Sequence, residues 1–136
     1  MKVILDTNVI VSGIFFKGPP SEILVLWKKK KFKLIATHEI LQEYKQVVDD
    51  LSTQFTDVDV SEIMAKITLN SILSFSITLP DKVCIDPDDD KFFAAAMASK
   101  CRIIVSGDKH LLSCSGFSGI EVIKPSDFLE KYLRTR

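Results

Sequence analysis

Residues 101–108, CRIIVSGD, decide the fold when they are set beside residues 2–8, KVILDTN. Each is a short β-branched and leucine-rich run that ends on an aspartate, Asp108 and Asp6. Runs without polar alternation suit strands buried on both faces. Asp6-Thr7-Asn8 then offers capping side chains for a helix over VIVSGIFF, residues 9–16. Working outward, Gly18-Pro19-Pro20 is a break, and Ser21 is expected to cap a helix over EILVLWKKKK with Lys28–Lys31 in its last turn. FKLIA, residues 32–36, reads as a second strand, followed by a Thr37-capped helix through residues 38–51. Residues 52–60 are polar and turn-like, Ser61 opens a helix over residues 62–73, and SFSITL at 74–79 reads as a strand. The acidic run 86–90 leads into the helix KFFAAAMASK. A short helix after Asp108, the strand IEVI and a helix beginning near Pro125 and Ser126 close the chain. Strands alternating with helices predict an α/β sandwich with a mainly parallel sheet.

The chain has 136 residues, with acids and bases balanced at 18 each. That length predicts a single domain over residues 1–136. A zero net charge argues against coating nucleic acid by bulk charge, though not against gripping a few phosphates through metal ions. Cys84, Cys101 and Cys114 are odd in number and show no C-x-x-C spacing. A disulfide framework or zinc site is therefore not expected, and a reducing compartment fits. Asp6 and Asn8 interrupt the apolar N-terminus, no cleavage site of the small-residue kind follows, and no stretch spans a bilayer. The expectation is a cytoplasmic protein with no membrane partner.

In an open parallel sheet, ligands bind outside the carboxyl ends of the strands. Asp6 and Asp108 both fall there, and the helix after Asp86-Pro87-Asp88-Asp89-Asp90 starts at the same edge. Gathered carboxylates repel one another unless a cation joins them. Oxygen ligands without Cys or His select hard ions, Mg2+ or Mn2+, and such ions suit phosphodiester hydrolysis. Each acid also has a structural reading: Asp6 and Asp108 as helix caps, the 88–90 run as charges complementing a helix dipole, Glu43 as a solvated helix residue.

Taken in order, these segments resemble the PIN-domain family. V-I-L-Asp6-Thr7-Asn8-V-I is similar to its first strand and first metal ligand, and L-Q-Glu43-Tyr44 to its helical glutamate. Asp86-Pro87-Asp88-Asp89-Asp90-Lys91-Phe92-Phe93 resembles its third acidic motif, and Val105-Ser106-Gly107-Asp108-Lys109-His110 its fourth. The resemblance implies a compact α/β/α fold and an endoribonuclease with one or two divalent ions. It points most closely to prokaryotic members that serve as toxins in toxin–antitoxin pairs, with a small antitoxin protein as partner. The implied catalytic acids are Asp6, Glu43, Asp89 and Asp108. The implied metal ligands are Asp6, Asp89 and Asp108, with Glu43, Asp90 and Asp86 as further candidates. Glu39 lies one turn from Glu43, but Glu43, followed by an aromatic, matches better. Asp89 aligns best in the third motif, with Asp90 in reserve and Asp86 on the same rim.

Asn8 and Ser106 are expected to support the site. Asn8 stands where an aspartyl phosphatase would carry a second acid, and its amide suits holding Asp6 or a water; a helix cap is an equal alternative. Ser106 retains a hydroxyl where the family often has Thr. Lys91 and Lys109 neighbour proposed ligands and are expected to contact RNA. The large apolar content of residues 9–31 predicts a homodimer formed through those helices. Two other readings stay open: a catalytically inactive PIN-fold interaction module, and an acid-pocket phospho-acceptor domain.

Overall fold

A computed structural model describes residues 1–75, 77–79, 83 and 87–134. Five strands form one sheet in the order β3-β2-β1-β4-β5. They are β1 (Lys2–Leu5), β2 (Lys33–Ala36), β3 (Ile72–Leu73), β4 (Ile103–Val105) and β5 (Glu121–Ile123), and every pairing is parallel. The helices are α1 (Thr7–Phe15), α2 (Pro19–Lys28), α3 (His38–Ser52), α4 (Ser61–Asn70), α5 (Asp90–Ser99), α6 (Lys109–Leu112) and α7 (Pro125–Phe128), the last continuing as a wider turn over Leu129–Leu133.

Successive residues of a strand face opposite sides of its sheet. Val3, Ile4 and Leu5 are all buried, as are Leu34, Ile35 and Ala36, and Ile103, Ile104 and Val105. Both faces of the three central strands are therefore covered, which makes the α/β/α sandwich. The sheet is wholly parallel among the described residues, where the sequence predicted a mainly parallel one. The chain runs from β1 outward to β3, then returns to the other side of β1 to place β4 and β5. The strand order thus reverses between β1 and β4, which is where such sheets carry their sites.

Three local expectations need correction. Helix α2 starts at Pro19, not after Ser21: Gly18 turns the chain with φ 139°, and Pro at the first helical position needs no amide partner. The helix ends at Lys28, so Lys29–Lys31 lie beyond it. Lys30 takes a left-handed conformation (φ 62°), and the amides of Lys30 and Lys31 bond back to the carbonyls of Trp27 and Leu26 at 2.8 and 3.1 Å. The third strand is Ile72–Leu73 rather than 74–79, and none of the described residues of 74–79 is in a strand. Ser71 ends α4 by turning extended (ψ 144°) while its amide still bonds to the Ile67 carbonyl at 3.1 Å, which frees the next two residues to pair with β2. Elsewhere the expected cap forms: Thr37 Oγ1 accepts a hydrogen bond from the Ile40 amide at 3.1 Å and starts α3.

Most of the apolar content of the first helices is absorbed by the core, including Val9, Ile10, Val11, Ile23, Leu24 and Trp27, and only Phe16 and Val25 stay exposed. The more exposed apolar side chains are Leu69, Leu73 and Phe75, near the outer strand β3. Among the described residues no single helix is long and apolar enough to cross a membrane.

Candidate active site

The end of β1 meets the end of β4. The Asp6 amide donates to the Val105 carbonyl at 2.9 Å, so the two chains leave the sheet side by side. Ser106 Oγ sits at this junction, fully buried. It donates to Asp6 Oδ2 at 2.8 Å and accepts from the Asp108 amide at 3.0 Å. One hydroxyl therefore ties the Asp6 carboxylate to the backbone that carries Asp108.

Asp6 is only 5% exposed. Burial pushes its carboxyl above the ordinary range; the Ser106 hydrogen bond opposes the shift, the nearby Asp108 charge adds to it, and the Thr7 and Asn8 amides oppose it. It stands just before α1 but makes no capping hydrogen bond to that helix. Its charge is nonetheless favoured by the Thr7 and Asn8 amides in the first turn of that helix. Asp108 does cap: its Oδ1 accepts from the His110 amide at 2.9 Å and starts α6.

A second constellation adjoins the first. Thr7, the residue after Asp6, donates through Oγ1 to Glu43 Oε2. Lys91 Nζ lies 2.6 Å from Glu43 Oε1 and also donates to the Asp88 carbonyl at 2.8 Å. The next residue of α3, Tyr44, is fully buried and donates its hydroxyl to the Leu5 carbonyl. Burial holds the Tyr44 hydroxyl well above its usual range, with the charges of Asp6 and Glu43 adding to it. Tyr44 therefore pins α3 to the end of β1, and this anchor sets where Glu43 stands.

The remaining expected residues stand on other elements. Asp89 is half-buried in the turn of Pro87–Asp89 that precedes α5. Asp90 opens α5, and its Oδ2 accepts from the Val83 amide at 3.1 Å. Asp86 lies outside the described residues. Asn8 is exposed on the first turn of α1, and Lys109 is exposed on the first turn of α6. Lys91, expected to face RNA, turns its ammonium to Glu43 instead. Thr7 and Tyr44 are contributors that the sequence reading used only as a cap and as a neighbour of Glu43. Their signal was position alone: a hydroxyl next to each of two candidate acids.

The donor set at this edge is oxygen without nitrogen or sulfur, which suits a hard divalent cation. The Asp6–Asp108 pair fits such an ion, because the buried Asp6 carboxylate near a second acid is disfavoured until a cation joins them. Among the described residues no three acids, histidines or cysteines are grouped closely enough to hold an ion between them. A separate concavity of about 470 Å3, bordered by Trp27, Lys28, Lys30, Lys33 and Lys66, lies at the amino end of β2.

A wholly parallel sheet with carboxylates and a bridging hydroxyl at its strand-order reversal defines an acid-site α/β protein. The sequence matches the PIN domain family over residues 2–110, and the chain belongs to that family. It is also similar to an uncharacterized protein of Methanocaldococcus jannaschii, 31% identical over 146 aligned positions that cover 97% of this chain and 92% of that protein. PIN domains are generally nucleases that use divalent metals, so the fold is one of phosphodiester hydrolysis.

Proposed function

We propose that this chain is a Mg2+- or Mn2+-dependent endoribonuclease that acts in the cytoplasm as the toxin of a toxin–antitoxin pair, restrained by a small antitoxin protein. The observation that carries the nuclease reading is the Asp6–Ser106–Asp108 linkage at the switch point of the sheet. When bound, the divalent ion supplies charge neutralisation at the scissile phosphate and activation of water. The protein's share is positioning. Asp6 and Asp108 are the ligands, Ser106 fixes the Asp6 carboxylate, and Asp89 with Asp90 completes the acidic rim from the start of α5. Lys109, exposed on the first turn of α6, offers a cation to the RNA backbone, and Asn8, exposed on the first turn of α1, supports Asp6 or a water.

The test is direct. Mn2+ raises the melting temperature of the native chain, since a ligand that binds only the folded state stabilises it. The chain then cleaves single-stranded RNA in Mg2+ or Mn2+, and chelation abolishes cleavage. A chain that binds Mn2+ but cuts no RNA is the inactive interaction module. A chain that cuts single-stranded DNA equally well refutes the RNA assignment. We also propose a homodimer built on the first two helices, where Phe16 and Val25 remain exposed; a monomer by light scattering at tens of micromolar, roughly the range of transient pairs, refutes it.

A further inference from the structure

Glu43 has both oxygens engaged. Thr7 Oγ1 donates to Oε2, and the Lys91 ammonium lies 2.6 Å from Oε1. The Lys91 side chain is only 11% exposed against 34% for Glu43, and its ammonium also donates to the Asp88 carbonyl. The pair joins two elements: Glu43 stands on α3, Lys91 on the first turn of α5, and those helices pack together. Tyr44, next in α3, is anchored on the Leu5 carbonyl, so Glu43 has little freedom to turn elsewhere.

An ammonium held in this way is not a surface cation awaiting a phosphate. Swinging it outward would strip Glu43 of its cation in a region already carrying Asp6 and Asp108. Replacing it with a divalent ion would strand the ammonium itself, nearly buried and without its counter-charge, which is costly. It would also require the Thr7 bond or the Lys91 contact to break, and would demand that a strongly hydrated ion shed water.

We propose that Lys91 is the resident cation of Glu43, so that a divalent ion at the Asp6–Asp108 pair is held without Glu43. Glu43 is then a positioning residue. It holds Thr7 beside Asp6 and clamps the start of α5 to α3, and it is not a metal ligand. This inference rests on the metal-dependent reading above and deepens it by removing Glu43 from the ligand set.

Calorimetric titration of the full chain with Mn2+ tests it. The parent binds Mn2+ with a stoichiometry and affinity that serve as the reference. Glu43→Gln keeps that affinity within about threefold, whereas Asp6→Asn loses it by at least about tenfold, a difference of 1.4 kcal/mol or more. Lys91→Met frees Glu43 and either adds an ion or tightens binding by about tenfold; Lys91→Arg behaves as the parent. Lys91→Gln serves if the methionine variant does not fold. Loss of Mn2+ in Glu43→Gln equal to that in Asp6→Asn, or no change in stoichiometry or affinity in the Lys91 variants, overturns the proposal. If the parent binds no Mn2+, the metal-dependent reading fails first, and a metal-free cycle still decides the pairing. Melting temperatures of Lys91→Met, Glu43→Gln and the double variant are then expected to be non-additive, and additive shifts overturn it.

Discussion

Replacing Asp6 with Asn tests the central carboxylate with the least disturbance of shape. Asn keeps an acceptor for the Ser106 hydroxyl, now 2.8 Å from the carboxylate, but the bond loses its charge assistance. That weakening is worth about 1 kcal/mol, the difference between a charged and a neutral hydrogen bond. Against it stands release of a charge that is 5% exposed and faces Asp108. Release of that charge outweighs the bond, because the net effect of the surroundings is to raise the Asp6 carboxyl above its ordinary range. The metal-free variant should therefore melt at the parent temperature or above it, each kcal/mol being worth roughly 3–5 °C in a domain of this size. The sign of the pH dependence follows. The folded chain binds this proton more tightly than the unfolded chain, so the penalty is present in full above the folded pKa and is relieved as pH falls through it. The parent accordingly gains more stability on mild acidification than the Asn variant does.

With Mn2+ the order reverses. At a concentration one hundred times its dissociation constant, a bound ion adds about 2.7 kcal/mol to the parent, and the variant forfeits most of that. RNA cleavage should fall by at least about a hundredfold, the scale of losing one electrostatic contributor to a transition state. The assay pairs thermal melts with and without Mn2+ and cleavage of a labelled oligoribonucleotide. An Asn variant that cuts at the parent rate refutes the carboxylate mechanism. A variant that fails to fold makes Asp6 structural.

Other perturbations probe the scaffold. Gly13→Ala would place its Cβ 2.6 Å from Leu24 Cδ1 and 2.8 Å from the Pro20 carbonyl oxygen. The resulting overpacking between α1 and α2 should cost about 1–3 kcal/mol in a urea melt, more than the helix-propensity gain of roughly 0.5–1 kcal/mol; a stabilised variant would refute the close approach. Tyr44→Phe removes the hydroxyl that reaches the Leu5 carbonyl and should destabilise by about 1–2 kcal/mol, with a fall in cleavage because Glu43 loses its anchor; unchanged stability and activity would show that the anchor does nothing. Cys101 is buried, bonds to the Lys2 and Ile103 carbonyls, and has its thiol pushed up mainly by burial. Iodoacetamide at neutral pH should label it more slowly than Cys114 by on the order of tenfold or more, read by mass spectrometry of the native protein; equal rates would contradict its burial.

What the sequence makes legible is whatever depends on local pattern. VIL before Asp6, LIA before Thr37 and IIV before Ser106 read as doubly buried strands because no polar residue alternates within them, and the structure buries all of them. From those strands the parallel sheet and the edge carrying Asp6 and Asp108 follow. Strand β3 is harder to read: two residues carry no period, and Ile72 and Leu73 extend the apolar rhythm of α4 equally well. Only the edge of β2 alongside makes them a strand, and that edge is a tertiary fact.

The same limit applies inside the site. Sequence shows that Lys91 follows three aspartates; it does not show that α5 lies against α3 and turns the ammonium to Glu43. Thr7 after a strand reads as a helix cap, yet its hydroxyl serves a carboxylate 36 positions away. These pairings determine how the acids differ. Asp6 takes its donors from the Ser106 hydroxyl and nearby amides and Asp108 from the His110 amide, whereas Glu43 has an ammonium at one oxygen and a hydroxyl at the other. Acids that look equivalent as a list of charges are therefore unequal as ligands. The inequality arises because hydroxyl, amide and ammonium donors reach Glu43 and its neighbours from elements that only the fold brings together.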